Sequence, residues 1–287
     1  MSLIKEIIGA TLMGLRLVSR PDDNKILSVY FHNPSVQLFH QMISWLHNKG
    51  YRFISILDLD ELIVQKQAPA KRLAFISFDD GNKEYPDLLP TIEKYKVPVT
   101  VFIPTNPVVE GNYWWDYAGK KEQSTYTGLP TVESFKVLPA KEFDLKLDVL
   151  KQHLKLERSC MTLSELKALA KHPYITIGAH TVSHPILKNC DAARQSKELE
   201  EGQMLLNEWL QQKTVYLAYP NGDYNDITLE LADKYGYRLG FTTKPGQINT
   251  ATVSRLEIPR YSVNDEGGYY ENLAKINGYW QRFFPPN

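Results

Sequence analysis

Leu73-Ala74-Phe75-Ile76-Ser77-Phe78-Asp79-Asp80-Gly81 is a β-forming, mostly apolar run of strand length that ends in two carboxylates and a glycine. It reads as a buried strand delivering two acids to its C-terminal tip, where Gly81 lets the chain turn away. Adjacent carboxylates repel, so a cation, a set of donors or solvent has to hold them charged. Taken alone, Asp-Asp-Gly after a strand is a turn signal. The surrounding chain decides whether it is more.

Outward from this stretch, strands and helices alternate. Further strands are predicted at 26–31, 51–56, 97–103, 174–179, 214–219, 237–242 and 257–263. Ser35 can cap a helix with Val36, Phe39, Ile43 and Leu46 on one face, ending near Gly50. A short helix is expected at about 59–64 and another across 86–96, where Pro86 is tolerated in the first turn. Thr162 and Glu165 form a capping box, Asp191 caps a long helix with Leu199, Leu206, Trp209 and Leu210 on its apolar face, and Asp226 caps one that stops at Gly236.

Such alternation implies parallel strands joined by right-handed crossovers. Eight strands in one run suit a single α/β domain over 1–287, a (β/α) barrel either closed or incomplete. Residues 105–157 form an insertion, with Tyr113-Trp114-Trp115-Asp116-Tyr117 followed by a polar stretch punctuated by Gly and Pro. A stretch this long without a clear pattern is expected to be a functional loop or disordered. In all such folds the C-terminal strand tips lie together. Here those tips carry Asp79, Asp80, His180, Tyr219 and Tyr261.

Composition narrows the classes. Thirty-three basic residues balance thirty-three acidic ones with no long run of one sign, which argues against nucleic acid as a partner. Two cysteines, Cys160 and Cys190, are too few for a disulfide framework or a thiolate metal cluster and read as reduced packing residues. No apolar run is long enough for a spanning helix. The opening 3–16 lacks the pattern of a secretory signal and reads as a packing helix, with a membrane-surface helix as the alternative. These features leave a cytoplasmic or peripherally attached protein, with export open.

His180-Thr181-Val182-Ser183-His184 follows the 174–179 strand. Pro185 disfavours helical geometry at His184, which places the pair on a loop. One histidine alone is commonly just hydrogen-bonded. Two at one strand tip and two aspartates at another make a sharper pattern. Two imidazoles and one carboxylate form a three-ligand site with a position left for water, as in catalytic zinc. The second carboxylate then stands beside the ion as a base. Zinc suits these ligands best, though iron, cobalt, nickel or manganese also accept them.

Phe78-Asp79-Asp80-Gly81 with His180-Thr181-Val182-Ser183-His184 resembles the first two motifs of the polysaccharide deacetylases, the NodB-homology or carbohydrate esterase family 4. Leu217-Ala218-Tyr219-Pro220-Asn221-Gly222 resembles the Tyr-Pro form of the third motif. Tyr30-Phe31-His32 and Gly240-Phe241-Thr242-Thr243 resemble flanking strands of exopolysaccharide-type members. The resemblance implies a distorted (β/α) barrel and metal-dependent removal of N- or O-acetyl groups from a carbohydrate. Carried over by position, it makes Asp79 the general base and Asp80, His180 and His184 the metal ligands.

Two departures matter. Many members carry an arginine two residues before the third-motif proline, where this chain has Ala218; Arg260, in Ile258-Pro259-Arg260-Tyr261, is the candidate to supply that cation. Many also use a late histidine as general acid, and none follows His184; His32, at another strand tip, is the substitute considered, with Asp79 itself as the other. Tyr219 and Asn221 are candidates for substrate or oxyanion contact, with a backbone N–H near Tyr219 as oxyanion donor. In the insertion, the aromatic side chains of Trp114 and Trp115, beside Asp116, are candidates for a sugar-stacking wall or lid, against plain packing of the insertion onto the barrel; Trp115 is the substrate-contact candidate. Two other readings stay open: a C–N hydrolase of the same fold acting on a non-sugar amide, and a carbohydrate-binding homologue that has lost catalysis. Retention of Asp79 weighs against the latter, because binding needs no base.

Overall fold

In a computed structural model, residues 3–14, 21–118 and 131–284 are described. Eight strands form the sheet: β1 (Leu27–Phe31), β2 (Arg52–Ile54), β3 (Leu73–Asp79), β4 (Val99–Ile103), β5 (Ile175–Ala179), β6 (Tyr216–Ala218), β7 (Leu239–Phe241) and β8 (Tyr261–Ser262). Their order is β7-β6-β5-β4-β3-β1-β8, with β2 paired to the first residues of β3, and every pairing is parallel. The sheet curls into an incomplete barrel. Among the described residues, β7 is joined towards β8 only by the bridge between Phe241 and Ile258.

Strand alternation sorts β3 into two faces. Phe75 faces the barrel interior, where it stacks on Phe241, 5.2 Å between centroids, beside Phe102. Ser77 and Asp79 follow on that face. Phe78 points outward into a cluster with Phe31 and with Phe39 of the Val36–Asn48 helix. All seven residues of β3 are buried, which its unbroken apolar run anticipates. Gly178 of β5 gives Phe102 its space, since a Cβ there would sit 2.5 Å from the ring.

Several boundaries differ from expectation. Asn225, not Asp226, caps the Asp226–Lys234 helix; its side chain accepts from the Thr228 amide, so Asp226 becomes the first helical residue. The predicted 51–56 strand is cut to three residues because Ser55 caps the Ile56–Val64 helix through a capping box with Asp58. The predicted 257–263 strand is reduced to two residues, since Ile258 bonds back to Gly240 and Thr242 before the chain reaches β1.

The insertion is not loose where it is described. It contains the helices Thr105–Glu110, Trp114–Ala118, Val132–Lys136 and Ala140–His153. Trp114, Phe135, Phe143 and Leu150 form their own apolar cluster, so helical spacing was present but too widely distributed to read. The polar stretch at 119–130 lies outside the described residues, as do residues 15 and 16 of the opening segment. Residues Leu3–Gly14 form the expected packing helix against Tyr269–Ile276; Gly9 admits the backbone of Tyr270, and the Glu6 carboxylate accepts from the amides of Tyr270 and Glu271. No helix among the described residues is long and apolar enough to cross a membrane.

Candidate active site

Asp79 is the last residue of β3 and points along the inward face. Strict alternation would send Asp80 to the opposite face. Instead Asp80 and Gly81 both adopt positive φ, 82° and 83°, and the turn brings the second carboxylate round to the same rim. Glycine suits the next position, because its φ of 83° is one that residues with side chains rarely adopt and a Cβ there would also press on Ile103 Cδ1. The Tyr113 hydroxyl donates to the Asp80 carbonyl at 3.0 Å, and the Cys160 thiol to that of Gly81 at 3.3 Å.

His180 leaves β5 and His184 lies four residues on, in a loop whose Thr181 and His184 have positive φ. The absence of helix at His184 agrees with the Pro185 argument. The Asp80, His180 and His184 side chains are buried, and one ligand atom from each lies within 4.8 Å of the others. Asp80 Oδ1 stands 3.5 Å from His180 Nε2 and 3.4 Å from His184 Nε2, yet it has no hydrogen-bond partner among the described residues.

This donor set fits a cation better than it fits itself. His180 Nδ1 is 2.7 Å from the Ala218 carbonyl, which can only accept, so that nitrogen carries the hydrogen. In the neutral ring Nε2 then turns a lone pair towards a carboxylate oxygen. Burial, followed by the neighbouring His180, pushes His184 down to about 3, which keeps its ring in the neutral, ligating form. Burial would raise the Asp80 carboxyl, but the His180 contact and the His184 charge interaction hold it well below the usual range. With the His184 hydrogen on Nδ1, which is buried and unpartnered among the described residues, three lone-pair atoms would face one another, an arrangement one divalent ion would reconcile.

Asp79 is held differently. Arg260, fully buried, donates Nη1 to Asp79 Oδ1 and Nη2 to Oδ2, both at 2.8 Å. Its remaining donors reach Ser77 Oγ at 3.1 Å and the Thr242 carbonyl at 3.0 Å, and its guanidinium lies 4.3 Å from the Tyr30 ring centroid. Burial raises the Asp79 carboxyl; Arg260, with His180 and His32, more than offsets that, and the net direction is down. The guanidinium that meets Asp79 thus comes from the residue just before β8, and position 218 is an alanine.

The other candidates divide. Tyr219 is fully buried, its hydroxyl donates to the Leu256 carbonyl at 2.9 Å, and its amide donates to Phe241. Neither group is available to a substrate, so an oxyanion donor from this turn has to be another atom. Asn221 adopts φ 54° in the next turn, with Nδ2 buried and unpartnered among the described residues. Trp115 stacks on Tyr113 at 4.5 Å and meets the His184 ring edge-on at 4.7 Å, while Trp114 is core and donates Nε1 to the His184 carbonyl at 3.0 Å. His32 is outside the Asp-His-His group but close enough to act electrostatically on Asp79, Asp80 and Asp265. His32 lines a cavity of about 840 Å³ together with Glu84, Asp87, Ser262 and Asp265.

Sequence reasoning missed Tyr113 and Glu198, and it offered Trp114 as a stacking aromatic where the structure buries it as core. Glu198 lies in the Ala192–Leu210 helix, where Gln195, Leu199, Gly202 and Leu206 mark the buried face. An acid on that stripe is a signal that, had the stripe been recognised, would have singled it out.

Residues 66–240 match the family model described as polysaccharide deacetylase. The Bacillus subtilis (strain 168) protein YxkH is 26% identical over 241 residues, 82% of this chain and 69% of its own. A Staphylococcus aureus poly-β-1,6-N-acetyl-D-glucosamine N-deacetylase is 24% identical over 261 residues, 86% of this chain and 76% of its own. Among solved structures, the Streptococcus pyogenes deacetylase PplD superposes with TM-score 0.63 at 22% identity, covering 89% of this chain and 99% of that one. IcaB from Ammonifex degensii superposes with TM-score 0.64 at 19% identity, covering 92% and 100%. At these identities the two structures establish the shared incomplete barrel.

Proposed function

The chain belongs to the polysaccharide deacetylase family, and from that premise we propose that it is a metal-dependent hydrolase removing acetyl groups, N-acetyl foremost, from a carbohydrate. The observation that carries the reading is the pairing of a buried Asp80-His180-His184 group with a separate, Arg260-clamped Asp79 on the same rim. A carbohydrate-binding role alone gives no reason to bury such a clamped carboxylate. The similarity to a poly-β-1,6-N-acetyl-D-glucosamine N-deacetylase favours an N-acetylglucosamine polymer as substrate.

Asp80, His180 and His184 would hold the ion, and two imidazoles with one carboxylate favour zinc. A divalent ion there supplies Lewis acidity and brings the pKa of a coordinated water from about 16 towards about 7.

The chain's own part is proton handling and orientation. Asp79, kept ionised by Arg260, takes a proton from the water that attacks the acetyl carbonyl carbon. The fork fixes both carboxylate oxygens, so the base is aimed at some loss of basicity. As the C–N bond breaks, the amine needs a proton and acetate departs. Asp79, by then protonated, is one donor and His32 the other. Trp115, packed against His184, walls the side of the site where a sugar or acetyl methyl would lie. Acetate release from poly-β-1,6-N-acetylglucosamine oligomers by zinc-loaded protein is the direct test. The expected result is release that a chelator abolishes; metal-saturated protein that frees no acetate from any acetylated glycan would overturn the reading.

A further inference from the structure

The loop bearing both histidines has a backbone that its own strand cannot satisfy. His180 makes the last sheet contact, donating its amide to Ile103 at 3.0 Å, and Thr181 then turns into positive φ. The next two amides point away from the sheet, and buried amides need acceptors. Both go to one atom: Glu198 Oε2 accepts from Val182 at 2.9 Å and from Ser183 at 2.8 Å. Glu198 Oε1 accepts from Ser183 Oγ at 2.6 Å and from Arg194 Nε at 2.9 Å. Glu198 is buried, 2% exposed, and none of these hydrogen bonds goes to a histidine side chain.

Two further contacts fix where the helix stands relative to the loop. One turn beyond Glu198, Gly202 lies against Thr181, and a Cβ there would be 2.9 Å from the Thr181 carbonyl carbon. Arg194, one turn before it, reaches Asp144 of the insertion at 2.8 Å. On the opposite side, Thr181 and Val182 carbonyls accept from the amides of Thr105 and Asn106. The loop is therefore gripped between the start of the insertion and a buried acid. Positive φ at Thr181 and His184, uncommon for residues with side chains, persists where surroundings over-determine it.

The geometry points to Glu198 as a positioning residue for the metal: it holds the 181–184 backbone in the one shape that turns His180 and His184 towards Asp80. This rests on the reading of those three residues as metal ligands. An acid doing this from a neighbouring helix acts on affinity through orientation, as outer partners of ligands do.

The test is zinc affinity of the full chain by chelator competition, together with the visible spectrum of the cobalt-substituted protein, for wild type, Glu198→Ala, Glu198→Gln and Gly202→Ala. Wild type is expected to bind one ion. Glu198→Ala is expected to bind about 10- to 100-fold more weakly with an altered cobalt spectrum. Glu198→Gln keeps an oxygen for the two amides and is expected to recover most of the affinity and the native spectrum. Gly202→Ala, which displaces the loop without touching Glu198, is expected to weaken binding too, and it carries the test should Glu198→Ala fail to fold. Wild-type affinity and spectrum in a folded Glu198→Ala would overturn the assignment whatever Gly202→Ala shows; should Glu198→Ala fail to fold, wild-type values in Gly202→Ala would overturn it. Wild type that binds no ion would instead sink the ligand reading, and this inference with it.

Discussion

Asp79 and Asp80 are neighbours with opposite electrostatic surroundings, one clamped by a guanidinium and the other facing two imidazoles. If Asp79 is the base, Asp79→Asn should lower turnover by about 10²- to 10⁴-fold while metal stoichiometry stays at wild type; retained turnover would remove it from the mechanism. Arg260 gives a pH prediction with a defined sign. The folded Asp79 carboxyl lies below its ordinary 3.8, because Arg260, helped by His180 and His32, outweighs burial. The pair's stabilisation is therefore present above that ordinary value and is lost as pH falls through the lower folded one. In Arg260→Met burial is less opposed and the carboxyl rises, so the acid limb of kcat/KM should move to higher pH; an unmoved limb would mean that Asp79 does not set it. The same change should destabilise the fold by about 3–5 kcal/mol, since it strands a buried charge. The four central residues were legible because chemistry-bearing types sat at strand tips. Arg260 was legible only as a candidate, since nothing in its neighbours says which carboxylate it meets. Glu198 was not, because an acid within a charged helix usually faces water.

At the scale of elements, the strands were legible from apolar runs, and errors gathered at their ends. Ser55 and Asn225 decided local boundaries by capping, and such one-residue competitions are hard to rank from side-chain type. The insertion was misread because three of its four helices have six residues or fewer and each helix buries at most three residues. β1 brings His32 to the rim, and His32→Ala separates the two proton donors: a large loss of kcat with metal retained assigns the role to His32, and unchanged turnover leaves it with Asp79. β5 offers a packing test remote from the chemistry. Gly178→Ala would press a methyl into the Phe102 ring and should destabilise unfolding equilibria by about 1–3 kcal/mol. A denaturation midpoint equal to wild type would show that the barrel interior yields more readily than its packing indicates.

For the whole molecule, the sheet topology places β3 and β5 on either side of β4, so two motifs about a hundred residues apart in the chain meet across one strand. That adjacency makes the site a property of the fold, and no segment of the chain carries it alone. Removing the ion should therefore abolish acetate release, lower the thermal midpoint and be reversed by adding zinc. The most direct measurement is anomalous scattering from crystals of zinc-saturated protein, with data collected on both sides of the zinc edge. The account predicts one peak, bounded by Asp80 Oδ1, His180 Nε2 and His184 Nε2, with Asp79 beside it and not bound to it. Saturated crystals with no peak among those three atoms, or with zinc bound elsewhere, would contradict it.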